Sequence, residues 1–128
     1  MRQSKTLLFS AALASAAVLA VVATRSPNHA ADQGAAHDLT VVNIEYKGSK
    51  VWVPATLILK KGEKVRLTLI NNAPSGVHGY AIDAFGVKTV VANGQKKVVE
   101  FTADKTGLFE SYCQLHPAHV KGQVLVIE

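Results

Sequence analysis

Sulfur is scarce in this chain: one cysteine, Cys113, and one methionine, Met1, in 128 residues. A single cysteine cannot form a disulfide within the chain, so the fold does not rest on one. A methionine confined to position 1 leaves no thioether in the body of the protein. There is no glycine-rich phosphate loop and no G-x-S-x-G elbow, which argues against nucleotide binding and serine-hydrolase chemistry. The 9 acids form no obvious pair in sequence. The lysines are scattered (Lys60, Lys61, Lys64, Lys96, Lys97), and no basic run marks a nucleic-acid surface. No stretch beyond residue 23 keeps a helical period.

What is present begins with the N-terminus. A short basic start, with Arg2 and Lys5, precedes LLFSAALASAAVLAVVA over residues 7–23. That is the layout of a secretory signal, and it predicts an exported, periplasm-like location. Its 17 apolar residues lie near the lower limit for crossing a bilayer, so an uncleaved anchor is the alternative, and only then is a membrane involved. Val21 and Ala23 fit a small-residue cleavage site, with Thr24 the first mature residue. Without Arg2 and Lys5, 12 Lys and Arg face 9 acids, a net charge of +3. This reads as a solvated face, or as a weak docking surface for an acidic partner. Residues 24–38, TRSPNHAADQGAAHD, read as a flexible linker, and His29 and His37 as linker histidines without a metal role.

From Leu39 the texture becomes β-branched. LTVVNIEY, ATLILK, KVRLTLINN, VHGYAID, VKTVVA, KKVVEFTA, GLFESYC and GQVLVIE make about eight short strands divided by Gly, Asn and Pro turns. In KVRLTLINN, Val65, Leu67 and Leu69 alternate with Lys64, Arg66 and Thr68, the period of a strand with one wet face. The expected domain is an all-β, antiparallel sandwich over residues 39–128. Its expected core is Val41, Ile44, Leu57, Leu59, Leu67, Leu69, Ile82, Val90, Val99, Phe101, Phe109, Leu125 and Ile127.

The chemistry concentrates in YCQLHPAHVKG, residues 112–122. Export implies an oxidising compartment, where an unpaired cysteine is a buried inert thiol, an intermolecular bridge or a metal ligand. Here Cys113 ends a strand, with His116 at +3 and His119 at +6. Pro117 between the histidines prevents a helix from running through them, so the stretch reads as a tight loop with a thiol and two imidazoles aimed inward. Thiolate with imidazole suits copper or zinc, and neither suits calcium or magnesium. His78, flanked by Gly76 and Gly79 at the start of an upstream strand, is the fourth candidate ligand. A surface histidine and a packed thiol are the plain alternatives for His78 and Cys113 taken singly. Nucleophilic catalysis by Cys113 with His116 is a further alternative. Glu110 reads as a solvent-face residue, and Asn72 as a candidate tie between the two ligand loops.

At these residues the chain resembles the cupredoxins, small copper β-sandwiches with an upstream ligand and a Cys–His–ligand loop near the C-terminus. The loop spacing also resembles that of the dinuclear copper domain of cytochrome oxidase subunit II. That loop has two cysteines, and the single Cys113 argues against a dinuclear centre. Within the superfamily the chain is most similar to the nitrosocyanin red copper proteins, through IDAFGV (82–87), FTADKTG (101–107) and CQLHP (113–117). The resemblance runs over residues 57–128 and is weaker from Leu39. It implies a Greek-key sandwich with the copper thiolate on Cys113 and the first loop imidazole on His116. The second loop imidazole falls on His119, although this loop is about two residues shorter there. Where nitrosocyanin has a glutamate, this chain has His78, the residue type of ordinary blue copper proteins. The axial methionine of those proteins is absent.

The expected cofactor is therefore one copper ion, cycling between Cu(I) and Cu(II) on His78, Cys113, His116 and His119. The expected role is an exported carrier of single electrons for a redox partner protein, more a carrier than an enzyme. The alternatives are an open copper site that binds or converts a small molecule such as nitric oxide, and periplasmic copper handling. A Cys–His₃ zinc site is the remaining reading. Neither the partner nor an oligomeric state is legible.

Overall fold

The computed structural model describes residues 34–128; the expected signal segment, His29 and most of the expected linker lie outside that range. Nine strands follow in order: β1 (His37–Tyr46), β2 (Ser49–Val53), β3 (Thr56–Lys60), β4 (Lys64–Asn71), β5 (His78–Ile82), β6 (Val87–Val91), β7 (Lys96–Thr102), β8 (Gly107–Ser111) and β9 (Gly122–Ile127). A single 3₁₀ turn, Asp83–Phe85, separates β5 from β6. The strand beyond the eight expected is β2. Its start falls in KGSK, which reads as a boundary because Lys47-Gly48 is a two-residue turn. Both turn residues have positive φ (49° and 82°), the backbone that matches the twist of a tight hairpin.

One sheet has the order β2-β1-β4-β7 and the other β3-β9-β8. The β5–β6 hairpin joins the second sheet's edge through Ala81, whose N–H donates to Tyr112 O at 2.8 Å, while Tyr112 N–H donates to Ala81 O at 3.0 Å. The two layers make the expected all-β sandwich. They are not purely antiparallel, as β1 runs parallel to β4 and β3 parallel to β9. Alternation of apolar residues sets which face is buried and carries no information on strand direction. β1 begins at His37, so His37 and Asp38, expected in the linker, are strand residues paired with Val65 and Arg66. His37 Nδ1 also lies 2.5 Å from Glu63 Oε1.

Val41, Leu57, Leu59, Leu67, Leu69, Ile82 and Phe101 are buried in the core, with Val65, Val87, Val91, Val124, Val126, Trp52 and Tyr80. Val99 and Phe109 are partly buried against it, and Leu125 is half-buried. Ile44, Val90 and Ile127 face outward. β1 and β9 are apolar on both faces, so hydropathy leaves their phase open. The inward positions are Val41 and Asn43 on β1 and Val124 and Val126 on β9. Burial of the inward rows supplies the main stabilisation, at roughly 25 cal/mol per Å² of apolar surface. β4 ends at Asn71, β5 opens at His78 and β8 gives way at Ser111 to the loop carrying Cys113, which gathers the ligand candidates.

Candidate metal centre

The buried ring of His78 has two different nitrogens. Nε2 lies 3.0 Å from Ser75 Oγ. Nδ1 is buried and has no hydrogen-bond partner. A buried unpaired nitrogen is costly unless something binds it. Cys113 and His116 stand opposite, and one ligand atom from each of His78, Cys113 and His116 lies within 4.8 Å of the others. The His78 and His116 rings are tilted against each other, with centroids 4.8 Å apart.

The loop is built to hold these groups. Its backbone takes two successive tight turns, with His116 N–H donating to Cys113 O at 3.4 Å and His119 N–H to His116 O at 3.0 Å. Cys113 is a buried free thiol. Its sulfur accepts from Gly79 N–H at 3.2 Å and lies 3.5 Å from His116 Nδ1. The Gly79 bond ties the upstream ligand strand to the thiol. A Cβ at Gly79 would run into the Gln114 side chain, so close approach accounts for the glycine.

His119 is placed differently. It is buried, its ring packed edge-on to His78 at 5.4 Å and stacked on Trp52 at 6.5 Å. Its Nε2 lies 2.9 Å from Asn43 Oδ1, and its Nδ1 3.2 Å from Val120 O. The structure thus brings His78, Cys113 and His116 into one ligand group and sets His119 beside it. The pKa of His78 is lowered, first by burial and then by the neighbouring His116 and His119. That of His119 is lowered mainly by burial, opposed by Val120 O. Both effects favour the neutral ring that a metal needs.

Asn72 does not tie the two ligand loops; its neighbour Asn71 holds the upstream loop and reaches the other only through Asn43 and His119. Asn72 is exposed, whereas Asn71 is fully buried. Asn71 Nδ2 donates to Gly76 O (2.8 Å) and Val91 O (2.9 Å). Glu110 is exposed as expected and pairs with Lys121. Phe109 packs on Phe85, both partly buried against the core. Tyr112 lines, with Gln114, Pro117 and Lys121, a cavity of about 250 Å³ beside Cys113, His116 and His119.

Three neighbours of the site escape sequence reading. Ser75 lies in a loop whose polar residues look alike. Trp52 donates Nε1–H to Gly79 O at 2.9 Å but sits on the unrecognised β2. Asn43 has a usable signal, a polar residue two places after Val41 on an apolar strand.

The donor set fits copper or zinc: a thiol and two imidazoles, one of which, His78, keeps a buried nitrogen without a partner. A model of the cupredoxin-like domain family matches residues 12–126. Nitrous-oxide reductase of Cupriavidus necator is 36% identical over 73 residues, 54% of this chain and 11% of that protein's length. Auracyanin from Roseiflexus castenholzii superposes with a TM-score of 0.60 at 17% identity, over 74% of this chain and 100% of its own. The copper-containing nitrite reductase of Thermus scotoductus gives 0.61 at 22% identity, over 72% of this chain and 28% of its own. The two structural likenesses speak for the fold alone. Taken with the matched domain, the sandwich and its His–Cys–His group place this chain in the cupredoxin-like family, whose members bind copper.

Proposed function

We propose that this protein is an exported mononuclear copper protein that carries single electrons through a Cys–His₃ site of His78, Cys113, His116 and His119. The observation that carries the reading is the buried, unpartnered Nδ1 of His78 beside Cys113 and His116. Copper would supply the one-electron Cu(I)/Cu(II) couple there. The chain's own part is to hold the donors still. Cys113 is bonded to Gly79 N–H, His78 to Ser75, and the loop backbone to itself. Donors fixed on a sandwich resist rearrangement between oxidation states, which suits electron transfer. A donor set with His119 and no thioether would favour Cu(II) over Cu(I), so the reduction potential is expected to lie below that of a methionine-ligated site. The resemblance to nitrosocyanins supports a tetragonal centre.

The 250 Å³ cavity beside the ligands favours a second reading, an open site that takes a small molecule such as nitric oxide when His119 stays outside the ligand set. The deciding experiment is to load the mature domain with Cu(II) and record visible absorption and electron paramagnetic resonance. Intense thiolate-to-copper bands with wide hyperfine splitting are expected. Added azide or nitric oxide leaves the spectrum of a carrier unchanged and shifts that of an open site. Absence of any charge-transfer band would overturn the copper–thiolate reading.

A further inference from the structure

We propose that Asn43 and Asn71 act as positioning residues that lock the tautomer of His119, placing its proton on Nε2 and leaving Nδ1 bare as a donor. The functional consequence rests on the copper reading above; the lock itself does not.

Backbone groups set the chain of inference. Asn71 Nδ2 faces two carbonyls, Gly76 O at 2.8 Å and Val91 O at 2.9 Å. Carbonyls only accept, so this atom is the amide nitrogen. Its partner Oδ1 accepts from Ala73 N–H at 3.1 Å. The orientation of Asn71 is thereby determined without reference to any metal. Asn43 stands next to it in the parallel β1–β4 register, with Nδ2 3.0 Å from Asn71 Oδ1. A flipped Asn43 would set two amide oxygens against each other. Its Oδ1 therefore faces His119 Nε2, at 2.9 Å.

A neutral ring has one proton for two acceptors, Asn43 Oδ1 and Val120 O. Asn43 is 0% exposed, whereas the Val120 backbone is already engaged in a bridge with Val51. The amide oxygen has the shorter contact and no route to water, and leaving it unpaired costs more. The proton goes to Nε2. Nδ1 is then left bare, with Val120 O 3.2 Å away. Trp52, stacked on the ring and bonded to Gly79 O, opposes a ring flip. His119 then needs no change of tautomer to join His78, Cys113 and His116, only release of Nδ1 from Val120 O, and the buried amide pair keeps that nitrogen unprotonated.

The test uses the metal-free protein at pH 7.5, with imidazole nitrogen–proton correlation spectra, followed by Cu(II) loading and pulsed electron paramagnetic resonance to count bound imidazoles. In the wild-type metal-free protein His119 is expected as the Nε2–H form. Asn43→Leu removes the acceptor and releases the ring to Nδ1–H, while Asn43→Gln keeps both an amide donor and an acceptor and the Nε2–H form. On loading, wild type and Asn43→Gln are expected to show one more imidazole than Asn43→Leu. Nδ1–H in the wild type overturns the lock, as does an unchanged tautomer in Asn43→Leu. If Asn43→Leu fails to fold, the wild-type and Asn43→Gln spectra decide alone. An intact lock in a protein that shows no copper–thiolate band supports this inference and overturns the copper reading.

Discussion

At the scale of the residue, a cupredoxin site concentrates its chemistry in a few side chains whose neighbours are ordinary. Cys113→Ser is expected to abolish thiolate-to-copper absorption while leaving the fold intact, checked by visible and far-ultraviolet spectra. Ser75→Ala removes the partner of His78 Nε2. Loss of such an outer partner is expected to weaken copper affinity by about 10–100-fold, measured by competition with a chelator; unchanged affinity would show that Ser75 does not orient the ring. His119→Met is expected to raise the reduction potential, and a potential that stays put would remove His119 from the ligand set. Sequence made Cys113, His116, His119 and His78 visible because donor chemistry is a property of residue type. It left Ser75 and Asn43 unseen because hydrogen-bond partnership is a property of position.

Elements decide which side chains meet. β4 was legible from its clean alternation, and Val65, Leu67 and Leu69 are all buried. β1 and β9 were not legible in phase, because Val42 and Ile44 compete with Val41 and Asn43, and Leu125 and Ile127 with Val124 and Val126. Each phase is settled by pairing with β4 and with β3 and β8. Where β9 begins, a Cβ at Gly122 would meet the backbone oxygen of Ala55 and lie 2.6 Å from Ser111 Oγ. Gly122→Ala forces the β3–β9–β8 sheet apart at the foot of the ligand loop. It is expected to cost about 1–3 kcal/mol, seen as a lower urea midpoint, and to lower copper affinity in step. A neutral outcome would mean that the loop's foot is compliant.

Taken whole, the molecule holds two neutral imidazoles in a largely apolar end of the sandwich. The pKa values of His78 and His119 are both lowered from 6.5, chiefly by burial. Below 6.5 the unfolded chain takes up protons that the folded metal-free chain resists. Stability is therefore present above that pH and declines as the pH falls toward the folded-state values. The metal-free protein is expected to have a lower urea midpoint at pH 5.5 than at pH 7.5, and His78→Asn is expected to flatten the difference. A midpoint that rises on acidification would contradict the burial argument. Copper binding to the folded state adds stability by mass action and masks the trend.

Sequence by itself determined the all-β class, the cupredoxin resemblance and the candidate donors, since alternation, turn residues and donor types are local properties. Tertiary structure alone decided that β1 lies parallel to β4, so that Asn43 meets Asn71. It alone decided that His78 meets Cys113 and His116 while His119 leans on Asn43. Those relations join residues up to 76 positions apart. They arise from the register of paired strands and from the need to satisfy buried polar groups, neither of which is written in a local stretch of chain.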